Sequence, residues 1–323
     1  MDWGAVLGPA ALPSLFNAGI RLATPTALAA VGESFCERAG VLNLGLEGMM
    51  LMGALGSFLG AHYAGNPWVG VLAGMAAGVA LGAIKAFLSV TLKTEQVING
   101  IAIVLFAQGF TSFVYGKLFG VTSSPPRIEG TPVVRIPGLE SIPGIGPVIF
   151  RQNILVYVSL VLVVGLWWLL YRSRFGLSIR AVGESPAAAD AAAVHVNRMR
   201  WLAVLVCGAM AGLGGAVLVV AQLQLFANNV TAGRGWVAIA LVIFGRWNPL
   251  LVVGGAFLFG LTDALQLRVQ AAGGGLGATV PYEFFQALPY LITLVVMTVS
   301  ALRARRDAQP AALGVPFVKE VRD

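Results

Sequence analysis

Long apolar runs, broken at short intervals by glycine, proline and charge, set the first reading of this chain. A bilayer hydrocarbon core of about 30 Å takes about 20 apolar residues in one helix. Nine segments meet or approach that length: 12–31, 41–64, 67–91, 96–118, 152–171, 200–222, 233–247, 249–267 and 283–302. The seventh, built on GWVAIALVIF between Arg234 and Arg246, is short and reads as a broken or re-entrant helix. The pattern predicts an all-α polytopic membrane protein of about nine transmembrane helices. It is read as a single membrane domain over 1–302 with a tail at 303–323.

Composition agrees. Hydrophobic residues make up 58% of the chain and charged residues 11%, where a soluble domain carries about 25% charged. The 41 glycines suit close helix approach in a membrane. The net charge of +7 does not point to nucleic acid, because most of the basic residues sit in short loops, as membrane anchoring predicts. Arg172, Arg174, Arg180, Arg198 and Arg200 in the 172–200 loop, and Arg303, Arg305 and Arg306 in the tail, are expected on the cytoplasmic side. Counting crossings back puts Lys93 and Glu37–Arg38 inside, and the N-terminus and the Pro/Gly-rich 119–151 loop outside. The first 20 residues have no Lys or Arg, so the first span is expected to be retained rather than cleaved as a signal peptide. Cys36 and Cys207 lack metal-ligand spacing and are read as packing residues without a disulfide.

One internal echo is visible. NPWVGVLAGMAAGVALGAIKAFL starts at Asn66 and NPLLVVGGAFLFGLTDALQL at Asn248. By the crossing count the two Asn-Pro turns lie on opposite sides, as an inverted repeat would have it. The competing reading is that Asn-Pro turns and Gly/Ala/Leu runs are common.

Candidate chemistry is sparse. No phosphate-binding G-x-x-x-x-G-K-[ST] loop and no H-E-x-x-H occur, so the chain is not expected to hold ATP or a metal, and no cofactor or catalytic residue is assigned. His62 reads as a boundary residue and His195 as solvated. In the 172–200 loop, Ser185-Pro186 is a helix start, Ser as N-cap and Pro at the first position. The alanine-rich helix it opens, taken to run to about Val196, could fit a groove in another protein or lie on the bilayer as an ordinary loop. Arg21, Asn43, Glu47, Asn99, Gln108, Asp263, Gln266 and Arg268 stand in or at the ends of spans. Polar groups there face a pathway, a partner or one another. Asn43 and Glu47, four apart, are expected on one helix face. Phe106, Phe110, Trp236 and Phe244 near them read as packing, or as stacking surface for a planar ligand.

Three blocks carry a family resemblance: ERAGVLNLGLEGMMLMGA from Glu37, FGLSIRAVGESPAAADAAAVHV from Phe175, and GRGWVAIALVIFGRWNP from Gly233. Together they resemble permease subunits of ABC importers of the ribose, branched-chain amino acid and nucleoside group. They are most similar to the nucleoside or simple-sugar branch, whose pattern Glu37, Arg38, Asn43, Gly45, Glu47 and Gly48 fit. The resemblance implies a path shared with a second, related permease chain, separate cytoplasmic ATPase subunits, and an extracytoplasmic binding protein. It implies an inner-membrane location and no ATP site of the chain's own. It makes Arg180, Gly183, Glu184, Ser185, Pro186 and Ala188 the ATPase-coupling residues. Asn43, Glu47, Asn99, Phe106, Gln108 and Asp263 become path-lining or helix-bracing candidates. Alternatives are the same machinery for a pentose or other small polar solute, or an ion-coupled secondary transporter with Asp263 or Glu47 as its acid. No residue constellation supports a membrane enzyme.

Overall fold

The computed structural model describes residues 8, 11–120, 125–140, 142, 144, 146–271 and 309–318, with isolated positions 287, 291, 294, 295 and 298. The fold is mostly helical. Helix α1 spans Leu12–Arg38 and contains Pro25, α2 spans Leu46–Ala64, and α3 spans Pro67–Ala86, prolonged by a π-helical turn Phe87–Thr91. Helix α4 covers Gln96–Phe119 and α5 Ile154–Arg172. Two short helices follow, α6 (Arg174–Glu184) and α7 (Pro186–Ala191). Helix α8 (Val196–Ala216) runs into a second π-helical stretch, Val217–Leu223; α9 is Arg234–Phe244 and α10 is Pro249–Ala271. Between α4 and α5 a two-stranded antiparallel ribbon pairs β1 (Val133–Arg135) with β2 (Arg151–Asn153), Val133 opposite Asn153.

Glycine decides the packing. Helix α3 presents Gly74, Gly78 and Gly82 to Gly208 and Gly212 of α8, a small-x-x-x-small spacing on both partners. A Cβ at Gly78 would lie 2.2 Å from the Gly208 carbonyl oxygen, and one at Gly212 would lie 2.4 Å from that of Gly74. The backbones therefore touch, and α8 becomes the centre of the bundle: 83% of its most apolar stretch is buried, against 22% for α5 at the rim. Helices α1 and α10 run antiparallel. Gly260 packs on Gly19 and Ala23, and Arg268 donates to the Ala11 carbonyl at 2.8 Å.

These contacts give the bundle two ends. The Arg38 end gathers the end of α1, the starts of α2, α4 and α10, and helices α6 and α7. The far end carries the start of α1 and the ribbon, where Asn17 Nδ2 donates to the carbonyls of Pro147 (2.7 Å) and Arg151 (3.1 Å).

Among the described residues, five helices are long and apolar enough to cross a membrane: Pro67–Thr91, Gln96–Phe119, Ile154–Arg172, Val196–Leu223 and Pro249–Gln270. Helices α1 and α2 have the length, 27 and 19 residues, but carry glutamates that are turned inward. The expected span 41–64 begins as a helix only at Leu46, because residues 41–43 form no regular structure and are bonded to α1 and α4. The seventh segment forms an 11-residue helix, about 16 Å long at 1.5 Å per residue. The ninth, 283–302, lies outside the described residues apart from isolated positions. So do residues 303–308 and 319–323 of the tail.

Candidate functional site

The first polar block folds as the end of α1, a bend at Ala39–Gly45 and the start of α2. Glu33 and Glu37, four apart on α1, are both buried. Glu33 accepts the backbone N–H and the Nδ2 of Asn43, both at 3.2 Å, and the Cys207 thiol at 3.1 Å. Glu37 accepts the Trp247 indole N–H. Burying a carboxylate is costly unless its oxygens are satisfied: both oxygens of Glu33 are, while Glu37 Oε1 has no donor among the described residues. The crossing count placed Glu37 at the cytoplasmic end of its span; the structure buries it there, with the Trp247 ring over that end of α1. Glu33, Cys36 and Cys207 hold their ligand atoms within 4.8 Å of one another. With Cys207 donating to Glu33 and Asn43 donating to both, the cluster is a hydrogen-bonded core. Both cysteines are free thiols.

Asn43 and Glu47 do not share a helix face. Asn43 precedes α2, and its Oδ1 turns back to accept the Gly45 N–H at 3.1 Å. Glu47, on the first turn of α2, reaches a different element. It accepts Thr231 Oγ1 at 2.5 Å, Gly233 N–H at 2.9 Å and Gly235 N–H at 2.6 Å. These donors belong to the start of α9, so one buried carboxylate caps a helix that begins inside the protein. A carboxylate there also meets the positive end of the helix dipole. A Cβ on residue 235 would lie 2.5 Å from the Glu47 Cα, which only glycine avoids. From the other side Asp263 of α10 pairs with Arg234, the first residue of α9, at 3.3 Å; each side chain is about one-fifth exposed.

Asn99 braces a third corner. Its Oδ1 accepts the Lys85 ammonium, and its Nδ2 donates to Ser89 Oγ at 3.0 Å and Thr94 Oγ1 at 3.1 Å. Lys85 is wholly buried and donates also to the Gln96 carbonyl at 2.7 Å. Helix α4 starts just here, capped by Glu95, whose side chain accepts the Ile98 N–H at 2.6 Å. That bond holds the Glu95 carboxyl below its ordinary range. Farther along α4, Phe106 is 52% exposed and stacks on Phe110 with ring centroids 5.4 Å apart, while Gln108 is half-buried.

The 172–200 segment docks on the Arg38 end. Ser185 caps α7, accepting the Ala188 N–H at 3.4 Å, with Pro186 at the first helical position. The alanine-rich helix is shorter than expected and ends at Ala191. Ala193 takes φ 60°, and the chain turns Val194 and Val196 in against Val182 and Ala189. Gly183 packs directly on α1: a Cβ there would be 2.1 Å from the Arg38 carbonyl oxygen. Glu184 lies 3.9 Å from the Arg38 guanidinium. Arg180 stacks over Tyr171 at 5.2 Å, and the Tyr171 hydroxyl donates to the Trp247 carbonyl at 3.2 Å. Arg38 donates to the same carbonyl at 3.3 Å and to that of Arg246 at 3.2 Å. Arg246 and Trp247 both have positive φ, 53° and 57°. Two consecutive left-handed non-glycine residues are strained, and the arginine fork holds the turn.

The three sequence blocks therefore meet. The structure joins Asn43 to Glu33, Glu47 and Asp263 to the start of α9, and Arg180, Gly183 and Glu184 to the Arg38–Trp247 junction. It leaves Asn99 in its own cluster with Lys85, and Phe106 and Gln108 apart from both. Glu33, Lys85, Thr231 and Trp247 escaped the sequence reading, which took Arg200 only as one of the basic loop residues. A usable signal existed for two of them: Glu33 and Lys85 each interrupt a long apolar run.

Comparison with known proteins gives a consistent picture. Residues 15–297 match the family model described as "Branched-chain amino acid transport system / permease component". A putative glucose ABC transporter permease protein of Haloferax volcanii is 41% identical, over 95% of this chain and 98% of its own. A guanosine ABC transporter permease protein of Bacillus subtilis is 34% identical, and a nucleoside ABC transporter permease protein of Lactococcus lactis 32%, each over 92% of this chain and 94% of its own. A second permease protein named for the same substrate also matches from each organism, at 26, 25 and 27% identity for guanosine, nucleoside and glucose. No solved structure matches.

Proposed function

The chain belongs to the family of permease components of the branched-chain amino acid transport type, a multi-pass membrane family, and from that premise we propose that it imports nucleosides or related ribosides. It is one permease subunit of an ABC importer; ATP is hydrolysed by other subunits. The observation that carries the substrate class is the pair of relatives named for guanosine and nucleoside, each matched over 92% of this chain. A simple sugar is the second reading, favoured by the 41% identical relative named for glucose.

The finer assignments rest on the geometry. Nine crossings are proposed, with α9 as a half-helix and 283–302 as the last span. Helices α3 and α10 both open on an Asn whose side chain caps the helix, at 2.9 Å for Asn66 and 3.1 Å for Asn248, and they run in opposite directions. That supports an inverted repeat. The Arg38 end is assigned to the cytoplasm and the N-terminus to the outside. There Arg180, Gly183, Glu184, Ser185, Pro186 and Ala188 receive the push of the ATPase subunits, and Gly183 passes it to α1. Asn43, Glu47 and Asn99, fully engaged by protein donors and acceptors, brace the helices. Asp263, Phe106 and Gln108, which keep exposed surface, face the path or the partner chain. The paired relatives in each organism support a second, related permease as that partner, and the family supports ATPase subunits and an extracytoplasmic binding protein.

The test is uptake into proteoliposomes holding this chain with its second permease, ATPase and binding protein. ATP-dependent accumulation of labelled guanosine, resistant to excess glucose or ribose, is expected. Competition by the sugar would move the assignment to the second reading. Uptake by this chain alone under an ion gradient would overturn the importer reading.

A further inference from the structure

We infer that residues 309–318 are a strap that positions α6 and α7 against the membrane helices, with Arg200 as its anchor. This rests on the reading of α6 and α7 as the ATPase contact. The strap bonds to two elements at once. Ala312 N–H donates to the Gly183 carbonyl at the end of α6, at 2.9 Å, and Gly314 N–H donates to the Gly40 carbonyl in the α1 bend, at 3.1 Å. Ala311 N–H reaches Glu184 Oε2 at 3.4 Å. Arg200, on the first turns of α8, is 2% exposed. Its Nε donates to the Ala39 carbonyl at 3.2 Å and its Nη1 to the Val315 carbonyl at 2.9 Å. Burying a guanidinium is unfavourable unless its donors are used. Here Nε and Nη1 are used and Nη2 is left without a partner among the described residues; the two bonds of the planar fork hold bend and strap in one register, a task a lysine ammonium performs poorly.

The apolar side of the strap completes the picture. Phe317 packs on a small cluster of Val182 from α6, Ala189 from α7 and Val196 from α8. Helix α7 is only PAAADA. Six residues without a large apolar side chain do not hold a helix in place by themselves. Its seat depends on what covers Ala189. Gly314 has φ 78°, which lets the strap turn beneath the bundle. At Gly40, also left-handed at φ 84°, a Cβ would lie 3.0 Å from both the Ala312 carbonyl oxygen and Arg200 Nη2. The α1 bend, the end of α6, the start of α8 and the strap are thus one knot. With the knot tied, a displacement of α7 moves α1 through Gly183 and Arg38. With it untied, α6 and α7 can shift without moving α1.

The experiment uses the full importer in proteoliposomes and reads uptake per ATP hydrolysed. A chain ending at Asp307 is expected to assemble with its partners and to hydrolyse ATP, with that ratio reduced about fivefold or more, the scale of allosteric coupling between sites. Hydrogen exchange is expected to rise across 182–194. A full-length Gly314→Val, Phe317→Ser double variant should do the same, and it decides the matter if the shortened chain does not insert. Arg200→Met should lower the ratio as far, and Arg200→Lys should restore part of it. An unchanged ratio in assembled variants, with only yield or Tm reduced, would overturn the strap. Wild-type importer that shows no ATP-driven uptake would instead overturn the functional reading beneath it.

Discussion

Glu47 and Asp263 grip the same turn of the protein from opposite sides, yet they do so by different physics. Glu47 is 1% exposed and satisfied by three donors, two of them backbone N–H groups at the start of α9. Asp263 holds one residue away through a single arginine and keeps part of its surface open. The first is structure that cannot be removed without orphaning donors. The second is a single, partly exposed ion pair. The contrast separates an enclosed, fully bonded acid from a partly open one, in two residues that look alike as acids in apolar helices.

The comparison breaks most visibly at Glu47. Glu47→Ala leaves two N–H groups and a hydroxyl unpartnered, so a stability loss of about 3 kcal/mol or more is expected. Glu47→Gln should lose less. A melting curve in detergent checks both, and equal Tm values for wild type and Glu47→Ala would remove the bracing role. Next is Gly235→Ala. Its methyl would meet α2 backbone 2.5 Å away, and overpacking of this kind destabilises by about 1–3 kcal/mol. Asp263→Asn should change stability by only about 1 kcal/mol, the scale of polar contacts between membrane helices. Its larger effect is expected on uptake, read at equal protein level; unchanged uptake would return Asp263 to bracing. Smallest is Glu95, an exposed cap whose carboxyl is held below its ordinary value near 4.5 by the Ile98 N–H. A depressed carboxyl contributes stability that is present above its unfolded value and lost as pH falls through the folded one. Glu95→Gln should therefore flatten the pH dependence of Tm below about 4.5 and leave neutral pH nearly unchanged.

How much was legible beforehand varies residue by residue. The Ser185-Pro186 helix start was readable because capping is local chemistry. So was the shortness of α9, since 11 residues between two arginines do not span a bilayer. The expected pairing of Asn43 with Glu47 failed because helix spacing applies only where a helix exists, and hydrogen bonds to Glu33 and Gln96 hold residues 42–43 out of one. The crossing count placed Glu37 at the inner end of its span and says nothing of what covers it. Only the fold brings Trp247 across 210 positions to cover it. Arg200 was counted among the basic loop residues, and the tail that encloses it was not seen as structure at all.

By itself the sequence determined the multi-pass, mostly helical membrane class, the Ser185-Pro186 helix start and the family, because hydropathy, caps and contiguous motifs are properties of neighbouring residues. The tertiary structure alone decided that Glu47 caps α9, that Gly183 rests on Arg38, and that residues 309–318 bond to Gly183, Gly40 and Arg200. Those are contacts between residues scores of positions apart. They follow from how closely glycine-faced helices approach, a distance no local pattern records.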